Sequence, residues 1–185
     1  MLFVKTVAEM IGGIPYSSAE FFSTDSWRTM TGATLLLFLE VEIPLPCWEE
    51  IAIILHNGGR VSSFMVDKST IYLGPLKSSL MCGACPECLR LRIRQRAEVI
   101  EPEAGAPTGP TSAMGDSLPR EILRVAVKML EHTLSASDNN NFAGFCWTLH
   151  AEPLLCNSAY VVKSLRCPLC VALDHASSGE QRGIL

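Results

Sequence analysis

The sequence predicts an α/β fold in which helices cover a layered sheet. Helical and strand patterns alternate along the first half of the chain, an order typical of such sheets. Residues 34–41 form a continuous apolar run, as in a buried parallel strand. Two Cys-Pro-x-Cys motifs, Cys85/Cys88 and Cys167/Cys170, lie far apart in the chain and predict one metal site that joins its two parts.

The composition favours one compact domain that has a partner. The chain has 185 residues, of which 48% are hydrophobic and 18% are charged, enough for a core and too apolar for general disorder. A mean hydropathy of +0.25 is high and indicates a surface that another subunit covers, in a homo- or hetero-oligomer. The net charge of -4 and the isoelectric point of about 5.6 argue against a nucleic-acid partner.

A cytoplasmic location is expected. The apolar run meets Glu40 and Glu42 well before the about 20 residues that a membrane span needs, so no span is predicted. The first residues carry neither the basic nor the apolar region of a signal peptide. Eight cysteines in a chain without a signal favour metal binding over disulfides.

Local sequence patterns predict each element before the first cysteine pair. Residues 3–11 have apolar positions at helical spacing and end at Gly12-Gly13, a favoured helix C-terminus. A short strand over 14–17 and a loop or broken helix over 20–33 lead to the apolar strand. The next elements are a helix over 48–56 that ends at Asn57-Gly58-Gly59, an alternating strand over 60–67, and its hairpin partner over 71–73.

The second half of the chain is interpreted in the same way. A helix over 85–99 begins at the first cysteine pair. Residues 100–117 are rich in Pro, Gly, Ala and Thr without periodicity, which indicates a flexible linker. The remaining predictions are a helix capped by Asp116 or Ser117, with Pro119 near its first turn and its apolar stripe over 122–134, a polar turn over 135–141, strands over 145–150 and 160–165, and a tail over 174–185. The predicted division of the chain is therefore 1–99, 100–117, 118–173 and 174–185.

The candidate metal ligands are Cys85, Cys88, Cys167 and Cys170. Each pair, here called a knuckle, has two intervening residues of which the first is proline, so a tight turn aims both sulfur atoms at one point. Two knuckles complete the tetrahedron of a structural zinc ion, and four protein ligands leave no position open for catalysis. The 78 residues between the knuckles, 89–166, exceed a zinc-finger module. The alternative is that these are buried or redox cysteines.

The other chemically active residues are given structural roles. Cys82 is a spare, because only the pair Cys85/Cys88 has its proline matched in the second knuckle. Small core positions are predicted for the last three cysteines, Cys47, Cys146 and Cys156. A solvated helix face is predicted for the arginines of the helix over 85–99, which are Arg90, Arg92, Arg94 and Arg96. Glu87 is interpreted as an isolated carboxylate.

Around the first knuckle the sequence resembles a known family. The strings Tyr72-Leu73-Gly74-Pro75-Leu76 and Cys85-Pro-Glu-Cys88-Leu-Arg-Leu-Arg92 are similar to the ThiF-like (ocin-ThiF-like) domain of azoline-forming peptide cyclodehydratases. In that family an LGPL strand precedes CxRCLRLR, and a terminal CPxC closes the zinc site, as Cys167 and Cys170 would here. The resemblance covers residues 30–100 and 118–172 in broad terms. Similar zinc knuckles occur in the wider ThiF/MoeB-type adenylating superfamily.

The resemblance implies a fold and a function. The fold would be a partial Rossmann-like (ThiF-like) layered sheet with a zinc-stapled C-terminal part. The sequence lacks the G-x-G-x-x-G loop that holds nucleotide phosphates in adenylating relatives, and the winged-helix element of the larger docking proteins. In the family, ATP-dependent chemistry belongs to a YcaO-type partner. The resemblance therefore implies a truncated, non-catalytic zinc scaffold that docks a YcaO-type cyclodehydratase, the precursor peptide, or both.

Two other functions stay open. One is an ATP-dependent adenylating enzyme of the ThiF/MoeB type, which the missing phosphate loop disfavours. The other is a thiol redox protein that uses Cys85 with either Cys82 or Cys88. Metal content separates the redox hypothesis from the scaffold, because bound zinc occupies the thiolates that redox chemistry needs.

Overall fold

The structure is a computed structural model. It describes the following residues: 31–40, 48–67, 69–100, 118–135, 143–151 and 153–180, with backbone alone at 40, 97–100 and 175–180. Several predictions fall outside these residues: the helix over 3–11, the strand over 14–17, most of the segment over 20–33, Cys47, residues 101–117 of the linker, and most of the polar turn over 135–141. Among the described helices, none is long and apolar enough to cross a membrane.

Ten elements follow one another along the described parts of the chain. In order they are β1 (Thr34–Glu40), α1 (Trp48–His56), β2 (Arg60–Asp67), β3 (Thr70–Leu73), β4 (Lys77–Ser78), α2 (Pro86–Ile100), α3 (Arg120–Ser135), β5 (Phe145–His150), β6 (Leu155–Tyr160) and α4 (Pro168–Glu180).

The six strands form one mixed sheet in the order β1-β2-β3-β5-β6, with β4 paired to β2. β1 and β2 are parallel, from Thr34 opposite Arg60 to Glu40 opposite Val66, and α1 crosses between them. The other pairings are antiparallel. The parallel strand predicted from the apolar run is thus present, but Leu39 is its one buried side chain among those described.

The end of α1 follows its sequence signal. The N–H groups of Gly58 and Gly59 donate to the carbonyls of Leu55 and Ile54, a pair of bonds that closes the last turn. The N–H of Arg60 then donates to the carbonyl of Ala33, which starts the ladder between β1 and β2. The predicted stop at Asn57-Gly58-Gly59 is confirmed.

Helices pack on both faces of the sheet around two core clusters. α3 covers one face, where Leu123, Val127 and Leu130 lie in one cluster with Phe64 and Leu149. The second cluster combines residues of α1, α2 and α4 with the other face of β2, and it contains all four knuckle cysteines. Strand residues alternate between the clusters, as the pleat of a sheet requires. The predicted α/β layered sheet is confirmed.

The last strand and the last helix differ from the prediction. β6 occupies Leu155–Tyr160 and pairs with the whole of β5, so the predicted strand over 160–165 is wrong. The register runs from Phe145 opposite Tyr160 to His150 opposite Leu155, and all six β6 residues are exposed, so the strand has no buried face that an alternating pattern would mark. The second knuckle opens α4, which continues to Glu180 through residues predicted as tail.

The segment Leu73-Gly74-Pro75-Leu76 carries part of the family resemblance, and steric contacts explain why its second residue is glycine. Gly74 has a φ of 96°, and a Cβ at this position would lie 2.7 Å from the carbonyl oxygen of Phe145. The Gly74 N–H donates to the carbonyl of Ser63 at 2.9 Å. A residue with a side chain would therefore push β5 away from β3.

Candidate metal centre

The two knuckles are built alike. Cys85 and Cys167 each precede a proline that opens a helix, α2 or α4, a position where proline is favoured because its missing N–H is not needed. Their carbonyl oxygens accept the N–H groups of Leu89 and Val171. Cys88 and Cys170 follow three residues later, on the same side of the first helical turn. Each helix start thus presents two sulfur atoms in one direction.

The four predicted ligands meet at one point. Their Sγ atoms all lie within 4.8 Å of one another. The Cys85 Sγ lies 3.8 Å from that of Cys88, 3.4 Å from that of Cys167 and 3.5 Å from that of Cys170. The sulfur atoms of Cys88 and Cys170 are 3.6 Å apart. A tetrahedron with zinc–sulfur bonds of about 2.3 Å has edges of about 3.8 Å, so the donor set and its spacing fit a metal ion.

The cluster is closed to solvent. All four cysteines are at most 1% exposed and pack within the core beside α1. The N–H of Ser164 donates to the Cys88 Sγ at 3.3 Å, as a group that stabilises a bound thiolate would. Hydrogen bonds with Cys167 and its neighbours raise the pKa of Cys85 and lower the pKa of Cys88. The thiols therefore share protons, and a cation is needed for all four to ionise.

The loop before the first knuckle is held by contacts that the sequence analysis missed. The buried Lys77 Nζ donates to the carbonyl oxygens of Met81 and Gly83. Gly83 lies against the start of β5, where a Cβ would come within 2.5 Å of Ala143 and Gly144 backbone atoms. The loop is thus fixed between β4 and β5, which orients Cys85.

A buried ion pair lies inside the first knuckle. Glu87 accepts two hydrogen bonds from Arg90, from Nε at 2.8 Å and from Nη2 at 2.7 Å, and both side chains are at most 4% exposed. The predictions of an isolated Glu87 and a solvated Arg90 are therefore wrong. The pair is spaced i, i+3 on a helix whose first turn points into the core, and that spacing was the available signal. Arg92, Arg94 and Arg96 are exposed, as predicted.

The remaining described cysteines lie outside the cluster. Cys82 is exposed, in agreement with its interpretation as a spare. Cys146 is buried as predicted, and desolvation by burial raises the pKa of its thiol to about 12. Cys156 is exposed on β6, so its predicted core position is wrong.

Thiol labelling distinguishes these classes of cysteine. In the native protein at about pH 8, N-ethylmaleimide is expected to modify Cys82 and Cys156 quickly. Cys146 should stay unmodified, because a thiol with a pKa of about 12 is ionised in about one molecule in 10⁴ at that pH. The knuckle cysteines should react only after a zinc chelator is added. Peptide mass mapping measures all sites in one sample, and fast labelling of Cys85 without chelator would contradict the metal assignment.

Comparison with known proteins gives matches of structure only. No protein-family model matches the chain, and no curated protein matches it. A heterocyclase solved with substrate and cofactor matches with a TM-score of 0.50, 16% identity, and coverage of 90% of this chain and 23% of its own. E. coli MccB with succinimide matches with a TM-score of 0.50, 11% identity, and coverage of 85% of this chain and 44% of its own.

The fold is ThiF-like. The resemblance found in the sequence is thereby confirmed at the level of the fold. The chain spans less than half the length of either matched structure, and identities of 11% and 16% support no statement about activity. The ThiF-like fold places both knuckles in one core, where four buried cysteines lie at metal-binding distance.

Proposed function

We propose that this ThiF-like chain is a non-catalytic zinc scaffold that docks a YcaO-type cyclodehydratase, its precursor peptide, or both, during azoline formation. The observation that carries the proposal is the closed cluster of four cysteines within a ThiF-like fold. Cys85, Cys88, Cys167 and Cys170 would hold the ion. Zinc in such a site supplies folding free energy and not a reactive water, because no coordination position is left open.

The scaffold would act by positioning its partners and not by catalysis. It would raise the effective concentration of the peptide at the active site of another subunit, a gain that needs no chemistry on this chain. Supporting this role, apolar side chains are exposed on β6, just before it, and between β6 and α4: Leu154, Leu155, Tyr160, Val162 and Leu165. The matched heterocyclase was solved with its substrate, and E. coli MccB was solved with MccA. The predicted cytoplasmic location remains part of this proposal.

An adenylating enzyme is the second candidate, since E. coli MccB was also solved with ATP. The present sequence has no G-x-G-x-x-G string, and the cysteine cluster has no open ligand position. The scaffold therefore predicts no ATP hydrolysis by the chain alone, and turnover measured by phosphate release would favour the enzyme.

Reconstitution tests the scaffold. A YcaO-type cyclodehydratase and a precursor peptide are mixed with ATP, with and without the chain, and ring formation is followed as loss of water by mass spectrometry. The chain is expected to raise the rate about tenfold or more at low peptide concentration, because tethering gains of about 10²–10⁴ are typical. The matched control Arg92→Met, at an exposed position of α2, should act like the wild type. An unchanged rate with each of several pairs of cyclodehydratase and precursor peptide would contradict the proposal.

A further inference from the structure

A groove runs along one side of α3, on the face of the sheet opposite the cysteine cluster. Its volume is about 560 Å³, and its lining residues are Arg124, Val125, Lys128, Met129, His132 and Trp147. α3 covers the sheet as far as β5, and β6 lies beyond β5. The groove therefore lies between α3 and Trp147 of β5, next to a strand whose six residues are all exposed.

The floor of the groove is apolar and fixed. Val125 is 43% exposed, and Met129 and Trp147 are half-buried. The Trp147 indole N–H donates to the Oγ1 of Thr133 at 3.2 Å, and its ring meets Phe145 edge-on with centroids 4.9 Å apart. Phe145 in turn contacts Tyr160 of β6 at 5.5 Å. An aromatic row thus leads from the groove to the exposed last strand, ready to accept apolar side chains.

The rim of the groove is basic. Arg124, Lys128 and His132 follow at intervals of four residues, which places them one above another along α3. Lys128 also pairs with Glu131 at 2.7 Å, but its side chain is 80% exposed. An exposed pair of this kind can exchange its carboxylate for another at little cost. Glu131 does not line the groove, so the charged residues that do are two cations, Arg124 and Lys128, on a chain whose net charge is -4.

We propose that this groove binds an acidic peptide segment. Apolar side chains of the peptide would lie on Val125, Met129 and Trp147, and its carboxylates would face Arg124 and Lys128. Charge complementarity selects an acidic partner, and the apolar floor selects one that also carries leucine-like side chains. The inference deepens the scaffold function and rests on it for its biological meaning, because the precursor peptide is the partner that would bring such a segment.

A labelled probe peptide tests the groove without a cyclodehydratase. The probe has leucines flanked by glutamates, and a matched probe has glutamine at each glutamate. Fluorescence anisotropy with the zinc-loaded full chain is expected to show binding that weakens as salt rises and is at least about tenfold weaker for the glutamine probe. The variant Arg124→Glu/Lys128→Glu should lose about tenfold or more in affinity. The control Arg92→Glu/Arg94→Glu changes the net charge equally, at exposed positions of α2, and should bind as the wild type does.

Two kinds of result would overturn the proposal that the groove binds an acidic peptide. Equal binding by the rim variant and the control variant, or equal binding of the two probes, would overturn the proposal. A wild-type dimer that the rim variant loses, without probe binding, would assign the surface to a second copy of the chain and overturn it as well. Circular dichroism confirms that both variants fold. Absence of an effect in the cyclodehydratase assay would contradict the scaffold alone, since probe binding does not depend on that enzyme.

Discussion

Replacing Cys167 with serine is expected to release the metal and to unfold or aggregate the chain. The free energy with which a structural zinc binds, about 10–16 kcal/mol, is folding free energy. Losing one ligand of four removes a share of it that is comparable with the about 5–15 kcal/mol total stability of a domain. Cys167 is fully buried between two helix starts, so the serine hydroxyl would also lie against three sulfur atoms without a metal. Zinc content by mass spectrometry and thermal melting by circular dichroism measure the effect.

The control for this variant is Cys82→Ser. It makes the same chemical change three residues before the first ligand, at an exposed position outside the cluster. Its zinc content and melting temperature should equal those of the wild type, since exposed substitutions change stability by about 0.5 kcal/mol or less. A Cys167→Ser protein that keeps its melting temperature would contradict the structural role of the site.

Replacing Arg90 with methionine is expected to cost about 3–5 kcal/mol, because it leaves the Glu87 carboxylate buried without its bidentate partner. For a chain of this length the melting temperature should fall by about 2–4 °C for each kcal/mol. Removing both charges, in Glu87→Leu/Arg90→Met, should recover most of the lost stability, because no charged group then remains buried and the desolvation cost of the ion pair is removed. Chemical denaturation of the zinc-loaded variants gives the free energies.

Arg92→Met is the matched control, since Arg92 lies on the same helix with its side chain exposed. Its stability should stay within about 0.5 kcal/mol of the wild type. If the double variant were as unstable as Arg90→Met, the ion pair itself would not be the source of the cost.

The fold was predictable where local signals agree with the tertiary structure. The apolar run predicted β1, the glycines after His56 predicted the end of α1, and the apolar stripe beginning at Ile122 predicted α3. β6 was not predictable, because its place depends on pairing with β5 and not on its own pattern. Helix α4 was missed because the second knuckle was interpreted as the last feature before the tail, whereas the proline of that knuckle opens a helix.

The grouping of the four cysteines was predictable and its surroundings were not. Matching Cys-Pro-x-Cys motifs carry their geometry in their spacing, so Cys85 and Cys167 could be paired across 81 intervening positions, 86–166, without a structure. The partners of Lys77 and Gly83 depend on where β5 meets the loop before α2, which no local pattern contains. Glu87 and Arg90 seemed ordinary surface residues because their burial comes from the packing of the first knuckle, which contains Glu87, into the core.

X-ray absorption at the zinc edge, on protein purified without added metal, shows whether the four cysteines hold an ion. We expect about one zinc ion per chain, surrounded by four sulfur atoms at about 2.3 Å and by no nitrogen or oxygen ligand. A folded protein that contains no zinc, or a zinc ion bound to a water molecule in place of one sulfur, would contradict the structural zinc site.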